Sequence, residues 1–101
     1  MCTLAIIGGS QESSIKKYAK KQDIEILFHN GKMSQRTSKY RSLINRADVV
    51  TVMVDALNHN SMNTARSLAK ELNKPIVYTK GRGISMAIYM ALNEYHKIKN
   101  K

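Results

Sequence analysis

Asp48-Val49-Val50-Thr51-Val52-Met53-Val54-Asp55 decides the fold of this chain. Between the two aspartates every residue except Thr51 is apolar, and all except Met53 are β-branched. A run that short and that rich in β-branched side chains reads as a strand. Immediately upstream, Tyr40, Leu43, Ile44 and Ala47 recur at helical spacing, in a helix that begins at Thr37 or Ser38. Downstream, the cap-rich turn Asn58-His59-Asn60-Ser61 opens a helix carrying Ala65, Leu68, Ala69 and Leu72 on one face, stopped by Asn73-Lys74-Pro75. The central strand therefore has a helix on either side of it in the chain.

The same unit recurs outward in both directions. Thr3 to Ile7 is a short apolar strand ended by Gly8-Gly9, with Ser10 placed to cap a helix bearing Ile15, Tyr18 and Ala19. Ile24 to Phe28 is a second strand, closed by His29-Asn30-Gly31. Ile76 to Thr79 is the fourth. It leads through Lys80-Gly81-Arg82-Gly83 into a last helix with Ile84, Ala87, Ile88, Ala91, Leu92 and Tyr95 on its buried face, fraying from Lys97 onward. Four β-α units in strict alternation predict one α/β domain over residues 1–101, with a four-stranded parallel sheet flanked by helices. Right-handed crossovers and a Rossmann-like or flavodoxin-like strand order of 2-1-3-4 follow.

Composition narrows the function classes. The chain has 101 residues, with 17 Lys and Arg against seven Asp and Glu, a formal net charge of +10. Such a surface concentrates polyanions around it, and nucleic acid is the usual partner. There is no apolar run long enough to span a membrane, so no membrane partner is expected. Met1-Cys2-Thr3-Leu4 lacks a basic n-region, which predicts no signal peptide and a cytoplasmic location. The single cysteine, Cys2, has no internal partner for a disulfide and is read as inert at a frayed terminus. A domain this small has a thin core, and homodimerisation is expected to supplement it.

In an open parallel sheet, ligands bind beyond the carboxyl ends of the strands. That rule selects Gly8, Gly9 and Ser10 after the first strand, and His29, Asn30 and Gly31 after the second. It selects Asp55, Asn58 and His59 after the third, and Lys80, Arg82, Gly83 and Ser85 after the fourth. Gly8-Gly9-Ser10 allows close backbone approach ahead of a helix N-terminus, which suits phosphate or carboxylate. It is neither a full G-x-G-x-x-G fingerprint nor a Walker loop. Lys80 and Arg82 add two cations ahead of another helix N-terminus. His29, Asp55 and His59 are the candidates for acid–base catalysis or a divalent metal, though they lack metal-motif spacing. No cofactor is required by any motif.

A second set of cations, Lys16, Lys17, Lys20 and Lys21, lies on the first helix and joins Lys80 and Arg82 as candidate nucleic-acid contacts. Arg36, Lys39, Arg41 and Arg46 accompany the second helix. With one Phe, five Tyr and no Trp, base stacking is not indicated, so backbone contact with low sequence specificity is expected.

The loops as a set resemble a bacterial family of short Rossmann-like domains, the domain of unknown function numbered 2325. The landmarks are Ile7-Gly8-Gly9, Phe28-His29-Asn30-Gly31 and Ala47-Asp48-Val49-Val50, then Asp55 with Asn58-His59, Lys74-Pro75, and Gly83-Ile84-Ser85. The resemblance spans nearly the whole chain and implies the same fold and a strand-end site. It implies no activity.

The expected function is therefore a non-enzymatic binding protein for an anion: DNA or RNA, or a phosphate-bearing small molecule such as a nucleotide. The alternatives are a small metal- or His/Asp-dependent phosphohydrolase or nuclease, and a protein-interaction module of a phage or mobile element.

Overall fold

The computed structural model describes residues 2–31, 38–80 and 83–99. Its elements run β1 (Cys2–Ile7), α1 (Glu12–Lys20), β2 (Ile24–His29), α2 (Ser38–Arg46), β3 (Val49–Met53), α3 (His59–Glu71), β4 (Ile76–Thr79) and α4 (Ile84–Lys99), with a 3-10 turn at Val54–Ala56. The four strands form one parallel sheet in the order β2-β1-β3-β4. The expected fold class and strand order are thus those of the structure.

Alternation along the strands divides the core into two layers. Leu4 and Ile6 of β1, Ile24 and Ile26 of β2, and Val49 and Met53 of β3 face α1 and α4, where they meet Ile15, Ala19, Ile88 and Ala91. Ala5, Ile7, Val50 and Val52 face the other way, onto Tyr40 and Ile44 of α2 and Ala65, Leu68 and Ala69 of α3. The decisive run Val49–Met53 is buried at every position because helices cover both of its faces. Its hydroxyl, Thr51 Oγ1, is buried with no hydrogen-bond partner among the described residues.

Several element ends differ from expectation. Val54 leaves the strand for the 3-10 turn. Ser10 lies outside α1; Gln11 stands at the N-cap and makes no side-chain cap bond. Tyr18 is 38% exposed rather than core. α4 continues to Lys99 instead of fraying at Lys97, helped by the Lys97–Glu94 pair and by Lys99 over the Tyr95 ring. Cys2 is a buried residue of β1, not part of a frayed end, and burial pushes its thiol up to about 11. Thr37, Arg36, Gly81 and Arg82 lie outside the described residues. α3 closes with Asn73 in the left-handed region (φ 58°) and Lys74 N–H donating back to Ala69 O at 2.8 Å, the geometry that a helix-stopping Asn provides. Among the described residues, no helix is long and apolar enough to cross a membrane.

Candidate functional site

The carboxyl ends of the strands form one rim, and its β1–β2–α3 sector is tied together by hydrogen bonds. Gly8 N–H donates to His29 O at 2.8 Å, carrying the β1–β2 ladder one residue past the strand. Gly8 and Gly9 have φ of 115° and 95°, which side-chain-bearing residues avoid. At Gly9 the conformation, not crowding, demands glycine, since an added Cβ lies 3.9 Å from Met53 Sδ. Gly31 N–H donates to His29 Nδ1 at 3.0 Å, and Gly31 O accepts from Ser61 Oγ at 2.9 Å. Ser61 N–H in turn donates to Asn58 Oδ1 at 2.7 Å, so Asn58 is the N-cap of α3.

These bonds give structural work to the side chains of two expected site residues, His29 and Asn58. His29 is half-buried, with its ring edge-on to Tyr40 at a centroid distance of 4.5 Å. Burial and the neighbouring Lys39 charge lower its pKa from the ordinary value. A neutral imidazole whose Nδ1 accepts must carry its proton on Nε2. Asp55 is exposed in the 3-10 turn, and His59 is exposed at the first position of α3. Among the described residues, no three His, Cys, Asp or Glu side chains gather as a metal-ligand set. Asn30, Ser10, Lys80, Gly83 and Ser85 are exposed at the rim. Lys80 follows Thr79, which pairs with Met53, so it stands beside the 3-10 turn. Arg82 lies outside the described residues.

The sequence reading did not identify Tyr40 or Ser61 as part of this sector. Tyr40 is fully buried beneath it, and its hydroxyl makes no hydrogen bond of regular geometry, although Ser61 lies close. Burial raises the phenol's pKa.

A second feature lies at the sheet edge. An open groove of about 450 Å³ runs along β2 between α1 and α2. Its floor is Ile26, Leu27 and Phe28; Lys16 stands on the α1 side, and Lys39 and Arg46 on the α2 side. Lys16 is paired with Glu12 at 2.8 Å. Neighbouring Arg41 is paired with Glu71, whereas among the described residues Lys39 and Arg46 have no acidic partner. Of the four lysines on and just after α1, Lys16 lines the groove, while Lys17, Lys20 and Lys21 are exposed outside it. Lys39, Ser42, Leu43 and Arg46 line the groove at i, i+3, i+4 and i+7. That spacing, with β2 as an edge strand in the order 2-1-3-4, is the signal that locates the groove in the sequence.

The family model described as "Uncharacterized protein conserved in bacteria (DUF2325)" matches residues 3–95. A UPF0751 protein of Bacillus anthracis strain A0248 is 34% identical over 93 residues, covering 91% of this chain and 94% of the relative. One from Bacillus cereus strain AH820 matches at 34% over the same length and the same shares. A UPF0751 protein of Desulfitobacterium hafniense strain Y51 is 33% identical over 94 residues, 91% of this chain and 93% of its own. No solved structure matches significantly.

Proposed function

The chain belongs to DUF2325, a bacterial family described as uncharacterized, and on the geometry of its sheet edge we propose that it is a non-catalytic binding module for the phosphate backbone of nucleic acid. The observation that carries this reading is the groove along the edge strand β2, with cations from the helices on either side of it. Lys39 and Arg46 are two helical turns apart, about 10 Å along the axis. Two cations so spaced on one helix can each meet a different phosphate of the same strand. The net charge of +10 draws such a strand in. Phe28, the aromatic residue of the groove, is half-buried, so the contact is with the backbone and weakly sequence-dependent.

Anisotropy of a labelled single-stranded oligonucleotide, DNA and RNA in turn, tests this across a salt series. Three phosphate contacts give a slope of about −2 in log affinity against log salt. No binding at low salt, or a flat salt response, overturns the proposal.

The Gly8-Gly9 turn favours a second reading. It stands at the switch point between β1 and β3, ahead of a helix with no side-chain cap. That arrangement suits a nucleotide phosphate at the rim. A thermal shift with a mono-, di- or cyclic nucleotide supports it, and silence across such a panel removes it.

A further inference from the structure

α4 differs from the other three helices in where its charge lies. α1 exposes Lys16, Lys17 and Lys20; α2 exposes Lys39, Arg41 and Arg46; α3 exposes Arg66 and Lys70. From Gly83 to Asn93 there is no Asp, Glu, Lys or Arg, although the chain carries 17 basic residues. One face of α4 packs Ala87, Ile88 and Ala91 into the core beside β3 and β4. Its outer face is also apolar. Met86 is 56% exposed, Tyr89 is 61% exposed, and half-buried Met90 lies beside them. Met86, Tyr89, Met90 and Asn93 follow i, i+3, i+4 and i+7, so they make one stripe. Exposed apolar residues opposite a helix's core face offer a surface to a second partner.

We propose that this stripe is the interface through which two copies of the chain associate. The charge distribution selects the occupant. Two molecules of net charge +10 repel each other wherever lysines and arginines meet, and the first part of α4 is a surface free of both. An anionic lipid or nucleic acid is drawn instead to the cationic helices. Exposed Tyr and Met are the residue types enriched where proteins meet, and Met adapts its shape to an identical partner. A two-fold interface is self-complementary, so the same stripe serves both copies. Antiparallel α4 helices put the axis between Tyr89 and Met90, with Met86 of one copy near Asn93 of the other. The β2 groove is on the opposite edge of the sheet from β4, so the dimer leaves both grooves open.

Sedimentation equilibrium of the full chain at tens of micromolar tests this. The expected mass is twice the 11.4 kDa of one chain. Met86→Lys with Tyr89→Lys is expected to halve it while far-UV circular dichroism stays unchanged. A monomeric wild type overturns the proposal, as does a folded double variant that remains dimeric. Should the double variant unfold, Tyr89→Cys in a Cys2→Ala background decides the matter. Oxidation is expected to link it into a covalent dimer, whereas Lys70→Cys on α3 stays monomeric. Equal crosslinking of the two overturns the interface. Oligonucleotide affinity is read on the same monomeric variant, so loss of the dimer and loss of nucleic-acid binding are separate results.

Discussion

The backbone N–H of Gly31 donates to Nδ1 of His29 across 3.0 Å, so the imidazole that closes β2 holds the loop after its own strand. The bond requires a ring unprotonated at Nδ1. Burial first, and Lys39 second, lower the His29 pKa below the ordinary 6.5. The unfolded chain therefore binds a proton at His29 more readily than the folded one does. The contribution is complete above about pH 6.5 and is lost as pH falls toward the lower folded value. We expect the melting temperature to drop between pH 7.5 and 5, and His29→Gln to flatten that dependence. Nitrogen chemical shifts of the ring check the cause directly. They are expected to show an Nε2–H tautomer and a midpoint below 6.5.

Tyr40 packs against that same ring, fully buried, with a hydroxyl lacking a regular hydrogen bond. Removing only the hydroxyl removes a desolvated polar atom and keeps the ring. Tyr40→Phe is therefore expected to change unfolding free energy by less than about 1 kcal/mol. Tyr40→Ala leaves a cavity between α2 and the sheet and is expected to cost about 3–5 kcal/mol. Urea denaturation of both variants measures the contrast. A large loss in Tyr40→Phe would mean that Ser61 holds the hydroxyl after all.

The strands were legible because each is short, apolar and β-branched, and because helices separate them. Val49 to Met53 and Ile76 to Thr79 illustrate both conditions. The rim was legible as a location, since strand ends are known once strand order is known. What each rim residue does was not. Asn58 and His59 are adjacent polar residues in the sequence, yet Asn58 caps α3 and His59 stands exposed. Only the helix start, a matter of one residue, separates those roles. The lysines of α1 read as one cluster because they are close in sequence. Their side chains diverge around the helix, so Lys16 faces β2 and Lys17 does not. The groove needs Phe28 and Arg46 together, and no local pattern brings those two into one place.

Asp48 is a landmark of the sequence whose role is structural. Thr3 N–H donates to Asp48 Oδ2 at 2.8 Å, and Asp48 N–H donates to Thr3 O at 2.7 Å. The pair joins the start of β1 to the entry of β3. Asp48→Ala leaves the Thr3 N–H without its acceptor and is expected to cost about 1–3 kcal/mol. Asp48→Asn keeps an oxygen there and costs less. The aspartate charge is also the second cause, after burial, of the raised Cys2 pKa of about 11. Asp48→Asn is thus expected to lower that pKa without restoring the ordinary thiol value. The pH dependence of Cys2 alkylation reads it. An unchanged alkylation profile would separate the thiol from Asp48.

Lys39 and Arg46 distinguish a groove from a generally basic surface. If positive charge alone draws nucleic acid, any two exposed lysines matter equally. If the β2 groove holds the strand, Lys39→Ala with Arg46→Ala removes two of three phosphate contacts. The salt slope then falls by about 1.4 from its value of about −2, because each contact contributes about 0.7 on a single strand. Lys17→Ala with Lys20→Ala removes the same formal charge from α1 outside the groove. It is expected to lower affinity slightly at low salt and leave the slope nearly unchanged. Both pairs are solvent-exposed on helices, and alanine favours helix, so neither variant is expected to lose stability. Slopes measured side by side on one oligonucleotide give the comparison. Equal losses in the two variants would reduce the groove to a feature of shape, with binding spread over the whole basic surface.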